Sequence, residues 1–318
     1  MDIPAGKDLR GANLQGANFQ GANLQEANLQ EASLQGADLE KANLQVATLY
    51  GADLQETNLQ EANLQGIDLI EAKLEKANLQ GANLLKANLQ GADLEKANLQ
   101  GANLQEANLQ GADLEKANME GANLQGANLQ ETNFQSANLQ EANLQEANLI
   151  KANLSGANLS GANLIEANLQ ETKLKESNLR KAKLERANLE GAKLKEAKLE
   201  GANLEGAKLI SANLKGASLK GANLKGANLI KANLNGANLQ RAEFQGANLV
   251  KTNLKDTNFR KANLEGAKLK EAKLKGAQNL SLDQLSKVRT LYNAELDEKL
   301  LIPLKEKYPA LFEKSKDE

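Results

Sequence analysis

The side chains able to do chemistry in this sequence are few in kind. It contains no Cys and no His, so a thiolate nucleophile, a disulfide, the commonest general base and the commonest metal ligands are all missing. Acid–base or electrostatic chemistry would fall to Asp, Glu, Lys, Ser or Tyr. Two charged sets stand out by spacing: Glu75, Glu95 and Glu115 recur every twenty residues, each followed by a lysine, and Lys175, Lys195 and Lys215 fall in the same twenty-residue register. The carboxylates are spread evenly rather than gathered, no triad or metal cluster is visible, and the Gly-Ala-Asn-Leu runs lack the strand–helix setting of a phosphate loop. The expectation is a protein that is not an enzyme, with no cofactor, no metal and no small-molecule substrate.

What must position these side chains is a repeat. From Leu9 to Leu274 a Leu, replaced by Phe19, Met119, Phe134, Phe244 and Phe259, recurs every five residues without a slip through 54 units, and such a fixed period is the signature of a stacked architecture. The usual unit is Ala-Asn-Leu-x-x, as in Ala12-Asn13-Leu14-Gln15-Gly16. Leucines five apart on an α-helix would advance roughly 140° each time and spread around its circumference, so one continuous helix is excluded. In a flat strand the Ala and the Leu share a face, but the next Ala falls on the other one. The chain therefore turns a corner in every unit, with Leu and Ala inward, the other three residues outward, and Asn and Gly suited to the corners.

Twenty residues per coil follow from the rarer substitutions. The position after the central residue is usually Gln, Glu or Lys, yet it is apolar at Tyr50, Ile70, Ile150, Ile210, Ile230 and Val250, which differ by multiples of twenty. Leu85 and Ile165 do the same on an adjacent face. With stacked strands about 4.8 Å apart, about 13 coils would make a rod roughly 60 Å long filled by Leu and Ala.

The unbroken Ala-Asn/Asp-Leu-x-x run resembles the pentapeptide-repeat family over roughly residues 7–275. The resemblance implies an all-β solenoid, a right-handed quadrilateral parallel β-helix. It also implies a function to weigh, because some members of that family resemble B-form DNA in size and charge, bind DNA gyrase and protect it from quinolones.

The ends differ from the repeat. Residues 1–6 read as a lead-in, 7–277 as the β-helix and 278–318 as a small α-helical C-terminal cap. Ser281-Leu282-Asp283-Gln284 is a capping-box pattern, and Leu282, Leu285, Val288 and Tyr292 follow at helical spacing, which predicts a helix from about Leu282 to Asn293. A second helical stretch carries Leu296, Leu300 and Leu301, Pro303 should end or kink it, and Leu304, Tyr308, Leu311 and Phe312 continue the apolar face. The cap would cover the last coil's edge or serve a partner; at the other end only Pro4 and Lys7 discourage strand addition.

Charge is distributed unevenly. Residues 1–150 hold 8 Lys and Arg against 21 Asp and Glu, residues 151–275 hold 24 against 12, and the whole chain nets −2. At physiological salt the Debye length is about 8 Å, so two such regions act on partners almost independently. Two rods packed antiparallel would set Glu75, Glu95 and Glu115 against Lys175, Lys195 and Lys215, which leaves a homodimer open. The apolar ladder of Tyr50, Ile70, Ile150, Ile210, Ile230 and Val250 could hold the folded-back tail, a protein partner, or itself. Lys215, Lys220, Lys225 and Lys231 raise nucleic acid or an anionic membrane, which the absence of outward aromatics in that region disfavours. Met1-Asp2-Ile3-Pro4-Ala5-Gly6-Lys7 is not a basic segment followed by an apolar run, and roughly 18 consecutive apolar residues occur nowhere, so a cytoplasmic protein is expected. The leading expectation is a non-enzymatic scaffold that presents a surface to a protein partner.

Overall fold

The computed structural model describes residues 6–314, and the lead-in residues before Gly6, Pro4 among them, lie outside that range. The chain divides into two compact units, Met1–Asn163 and Leu164–Glu318, and each is built by the same rule. In unit 1, single-residue parallel bridges join Asp8 to Asn28, Asn13 to Ser33, Asn18 to Asp38 and so on to Asn143 with Asn163; in unit 2 they run from Asn168 with Asn188 to Asn258 with Gln278. Every pair is twenty residues apart, so four quintets complete one coil.

The hydrogen bonds explain why the quintet is sufficient. The Leu24 N–H donates to the Asn43 carbonyl (2.7 Å), the Asn43 N–H to the Ala22 carbonyl (2.9 Å), and the Glu26 N–H to the Gln45 carbonyl (3.0 Å). Within the quintet the Ala27 N–H closes a turn on the Leu24 carbonyl at 3.0 Å. Such a turn needs positive φ at its third residue. That residue has φ near +60° throughout the described repeats, at Gly11 (+61°) and equally at Glu26 (+58°), Lys41 (+54°) and Val46 (+57°).

Leu and Ala fill the interior. From Leu24 to Leu274 the central residues are at most 1% exposed, and Phe134, Phe244 and Phe259 are fully enclosed. Where Thr or Ser stands in the Ala position, the buried hydroxyl is satisfied by a backbone carbonyl, as from Thr57 to Leu34 (2.8 Å) and from Ser177 to Leu174 (2.8 Å). The first coil is different: Leu9, Ala12, Leu14 and Ala17 are only half-buried, and full burial begins at Phe19.

Asn before each Leu serves twice. Asn43 Oδ1 accepts the Gln45 N–H (3.2 Å), while its Nδ2 donates to Asn23 Oδ1 (3.3 Å) and its Oδ1 accepts Asn63 Nδ2 (3.0 Å). The chain of amides continues through Asn83, Asn103, Asn123 and Asn143 to Asn163. In unit 2 lysines interrupt these ladders, and Lys173 bridges directly to Lys193.

The tail departs from the helical expectation. The first helix, α1, covers only Leu282–Ser286, with the full capping box between Ser281 and Gln284. The predicted helix to Asn293 does not continue, because the last coil offers a row of open backbone groups and the chain pairs with them instead. Thr290 bridges to Lys268 and Glu295 to Lys273, now 22 residues apart, and the Leu269 and Leu274 N–H groups donate to the Thr290 (3.0 Å) and Glu295 (2.7 Å) carbonyls. Leu296 therefore belongs to an extended side rather than to a helix. The second helix, α2 (Glu298–Lys307), runs through Pro303 instead of ending there, and a short 3-10 turn covers Pro309–Phe312. Leu285, Val288, Leu291, Leu296, Leu300 and Leu304 are buried, whereas Tyr308 is 41% exposed.

Candidate functional site

With the interior filled by Leu and Ala, the surface available for function consists of columns, each made of one quintet position repeated every twenty residues. The position after the central residue is the informative one. Where Asn or Asp stands before the central residue, the N–H of this position is tied to its oxygen, as from Ile230 to Asn228 Oδ1 (3.3 Å) and from Val250 to Asn248 Oδ1 (3.3 Å), and the side chain leaves the coil in a fixed direction; Ile210 follows Lys208 and Tyr50 follows Thr48.

In unit 2, Ile210, Ile230 and Val250 occupy successive rungs: the Ser211 N–H donates to the Ile230 carbonyl (2.9 Å) and the Lys231 N–H to the Val250 carbonyl (3.0 Å). All three are half-buried and stand on adjacent rungs as an apolar strip in a column otherwise of Gln, Glu and Lys in this unit. In unit 1, Tyr50 and Ile70 are neighbours in the same way, while Ile150 lies four rungs from Ile70; each is half-buried. Tyr50 also donates its hydroxyl to the Glu71 carboxylate (3.2 Å), and that bond raises its pKa. The hydrogen bonds of the tail go to the edge of the last coil, from Gln284 to the Phe259 and Ala262 carbonyls and from Asn279 to Asn258.

The charged columns are largely neutralised where they stand. Glu75, Glu95 and Glu115 in unit 1 pair with Lys76 (3.3 Å), Lys96 (2.7 Å) and Lys116 (2.7 Å). The hydrogen bond from Lys96 holds the Glu95 carboxyl below its usual range, and the one to Glu115 raises the Lys116 ammonium. In unit 2, Lys175 pairs with Glu176 (3.0 Å) and Lys195 with Glu196 (3.3 Å), whereas Lys215 is exposed and has no carboxylate partner among the described residues. Exposed pairs of this kind contribute little stability. Their main effect is to erase local charge. Of Lys215, Lys220, Lys225 and Lys231, Lys220 joins a concave cluster with Arg241, Arg260 and Lys261. Sequence reasoning passed over those three, although Arg241 and Lys261 are spaced by twenty.

By units, Met1–Asn163 holds 9 Lys and Arg against 21 Asp and Glu, a net of −12, and Leu164–Glu318 holds 30 against 20, a net of +10. Among the described residues no helix is long and apolar enough to cross a membrane.

The family model for pentapeptide repeats matches residues 8–45, 47–85 and 87–276. Among solved structures the chain is similar to HetL, a pentapeptide repeat protein involved in heterocyst differentiation regulation from the cyanobacterium Nostoc sp. strain PCC 7120. That match has 34% identity, covers 76% of this chain and 86% of that one, and has a TM-score of 0.28. QnrB1, a plasmid-mediated fluoroquinolone resistance protein, matches at 20% identity over 62% of this chain and 95% of its own, with a TM-score of 0.44. A pentapeptide repeat protein of the Arabidopsis thaliana thylakoid lumen matches at 28% identity over 32% and 68%, with a TM-score of 0.21. No curated protein matches the chain.

Proposed function

Since the chain belongs to the pentapeptide-repeat family, whose members are right-handed quadrilateral β-helices, we propose that it is a non-enzymatic scaffold that presents ordered surface columns to a protein partner. The observation that carries this reading is the strip of Ile210, Ile230 and Val250, three branched side chains on adjacent rungs of a column that is otherwise polar. A contiguous apolar strip with a charged rim has the make-up of a protein contact, an apolar centre that excludes water and a polar border. The backbone ladder fixes the strip in advance, so binding to it costs little ordering. Imitation of DNA fits less well, because unit 2 is net positive and a duplex mimic needs negative charge over most of its surface.

The test is affinity capture on the immobilised full chain with mass spectrometry, run beside Ile230→Lys. The variant alters an outward side chain and leaves the Leu and Ala interior intact. Loss of one reproducible partner from the variant supports the strip as the contact. An identical captured set from both proteins would place the partner elsewhere.

A further inference from the structure

Unit 2 holds a groove of about 220 Å³ lined by Lys220, Gln240, Arg241, Arg260 and Lys261. We propose that it binds a small phosphate-bearing anion of the polyphosphate class, a site separate from the Ile210–Val250 strip.

The repeat itself assembles the groove. Lys220, Gln240 and Arg260 are successive rungs of one outward column, and Arg241 and Lys261 are successive rungs of the corner column beside it. The Gly221 N–H donates to the Gln240 carbonyl (2.8 Å) and the Arg241 N–H to the Arg260 carbonyl (2.9 Å), which locks the rungs at the spacing of stacked strands, about 4.8 Å. One rung earlier in the corner column stands Gly221, and before it Gly201, both without side chains, so the concavity opens where Arg241 and Lys261 rise beside the Lys220 column.

Charge sets this place apart. Four cations line the groove, and among the described residues none of them has a carboxylate within 4.0 Å. Several corner cations elsewhere do have one, Lys41 with Glu61 (3.8 Å), Lys86 with Glu106 (3.4 Å), Arg186 with Glu166 (2.8 Å) and Lys251 with Glu271 (3.4 Å), whereas Lys151, Lys181 and Lys231 have none among the described residues, so what marks the groove is the convergence of four cations. Two nearby acids in the sequence register are already engaged, Glu200 with Arg180 (3.1 Å) and Glu243 with the Gln245 amide (2.7 Å). Four like charges held together by a backbone that fixes their origins repel one another, and an anion relieves that repulsion.

The side-chain chemistry selects phosphate. Two guanidinium forks match pairs of phosphate oxygens, two ammonium groups act as point charges, and the Gln240 amide adds a neutral donor. The volume lies below the ~300 Å³ at which drug-sized pockets begin and suits two or three linked phosphate groups. No aromatic side chain lines the groove for base stacking, which favours a free polyphosphate over a single strand of nucleic acid.

The test is calorimetric titration of the full chain with inorganic tripolyphosphate at low ionic strength, beside Arg241→Gly/Lys261→Gly. Glycine is already the residue of Gly201 and Gly221 in this corner column, so the double variant keeps the coil, which an unchanged far-ultraviolet spectrum verifies; Arg260→Gln is the second variant. Single-site binding weakened at least tenfold in both variants, and less than twofold by Lys215→Gln, is the expected result. Absence of binding, or equal weakening by Lys215→Gln, overturns the proposal by reducing the effect to net charge. Two further arms use phosphatidylglycerol vesicles and a single-stranded oligonucleotide. Tighter binding to either one, lost in the same variants, would also overturn it and assign the groove to that surface.

Discussion

At the scale of single residues, the repeat tolerates strain at its corners. Val46 is a β-branched residue at φ +57° and 56% exposed, so it gains little burial in exchange for a left-handed conformation. That conformation costs an L-residue roughly 1–2 kcal/mol, against about 0.5–1 kcal/mol of extra chain entropy that glycine loses on folding. Val46→Gly should therefore raise stability by about 0.5–1 kcal/mol, read as a higher midpoint in denaturant or thermal unfolding. A lowered midpoint would mean that the Val46 side chain makes contacts worth more than the strain. Asp8 shows the opposite use of a surface residue. Arg10 donates from Nε (2.9 Å) and Nη2 (2.7 Å) to its two oxygens, and these bonds lower the Asp8 pKa from 3.8 to about 2. The ionised form is the one favoured by folding, so its contribution is complete above the unfolded value and fades as pH falls through the folded one. Carboxyl titration by NMR should find Asp8 still charged at pH 3, and Arg10→Gln should return it to the ordinary range.

At the scale of elements, Gln284 holds the tail to the repeat. Its Oε1 accepts the Ser281 N–H (2.9 Å), closing the capping box, and its Nε2 donates to the Phe259 (3.0 Å) and Ala262 (2.8 Å) carbonyls. Gln284→Ala removes the box and leaves the Ala262 carbonyl without its donor, while the Phe259 carbonyl keeps the Ala262 N–H (2.9 Å), at a cost of about 1–3 kcal/mol. Hydrogen exchange should speed up across residues 282–304 while the amides of the repeats stay protected. Gln284→Glu keeps an acceptor for Ser281 but cannot donate to either carbonyl, so it should also loosen the tail; protection equal to the native chain in both variants would remove Gln284 from this role. The same segment marks the limit of what the sequence discloses. The quintet was legible because each unit pairs with copies of itself, so Leu, Ala and Asn each have one environment, and substitutions such as Ile210, Ile230 and Val250 report the twenty-residue coil. The capping box was legible because it is local. The helix expected to Asn293 was misread because Leu285 and Val288 fit helical spacing as well as they fit the edge of the coil, and the open backbone of Lys268 and Lys273 has no local signature. Ala294-Glu295-Leu296 nevertheless repeats the Ala-x-Leu pattern of Ala272-Lys273-Leu274, displaced to 22 residues, with α1 lying in the interval. The groove of Lys220, Arg241, Arg260 and Lys261 went unread for another reason: its members sit at two different quintet positions, and only the folded coil brings those columns side by side.

At the scale of the whole molecule, a net charge of −2 combines a unit at −12 with one at +10. So small a total gives copies of the chain almost no mutual repulsion, and a net charge near zero favours association. Unit 1 of one copy and unit 2 of another attract. Many ion pairs are already closed within each unit, Lys96 with Glu95 (2.7 Å) and Lys175 with Glu176 (3.0 Å) among them, so the attraction between copies falls to the excess charges, of which Lys215 is one. Those charges act over about 30 Å in 0.01 M salt but only about 3 Å in 1 M. Light scattering should therefore give a mass above the 34.1 kDa monomer at low ionic strength, falling to the monomer as salt is added. A mass that stays above the monomer in 1 M salt would assign self-association to an apolar contact, for which Ile230→Lys is the direct probe. A monomer at both extremes would mean that the excess charges of the two units are not presented to one another by separate copies, leaving them to partners of other chemistry.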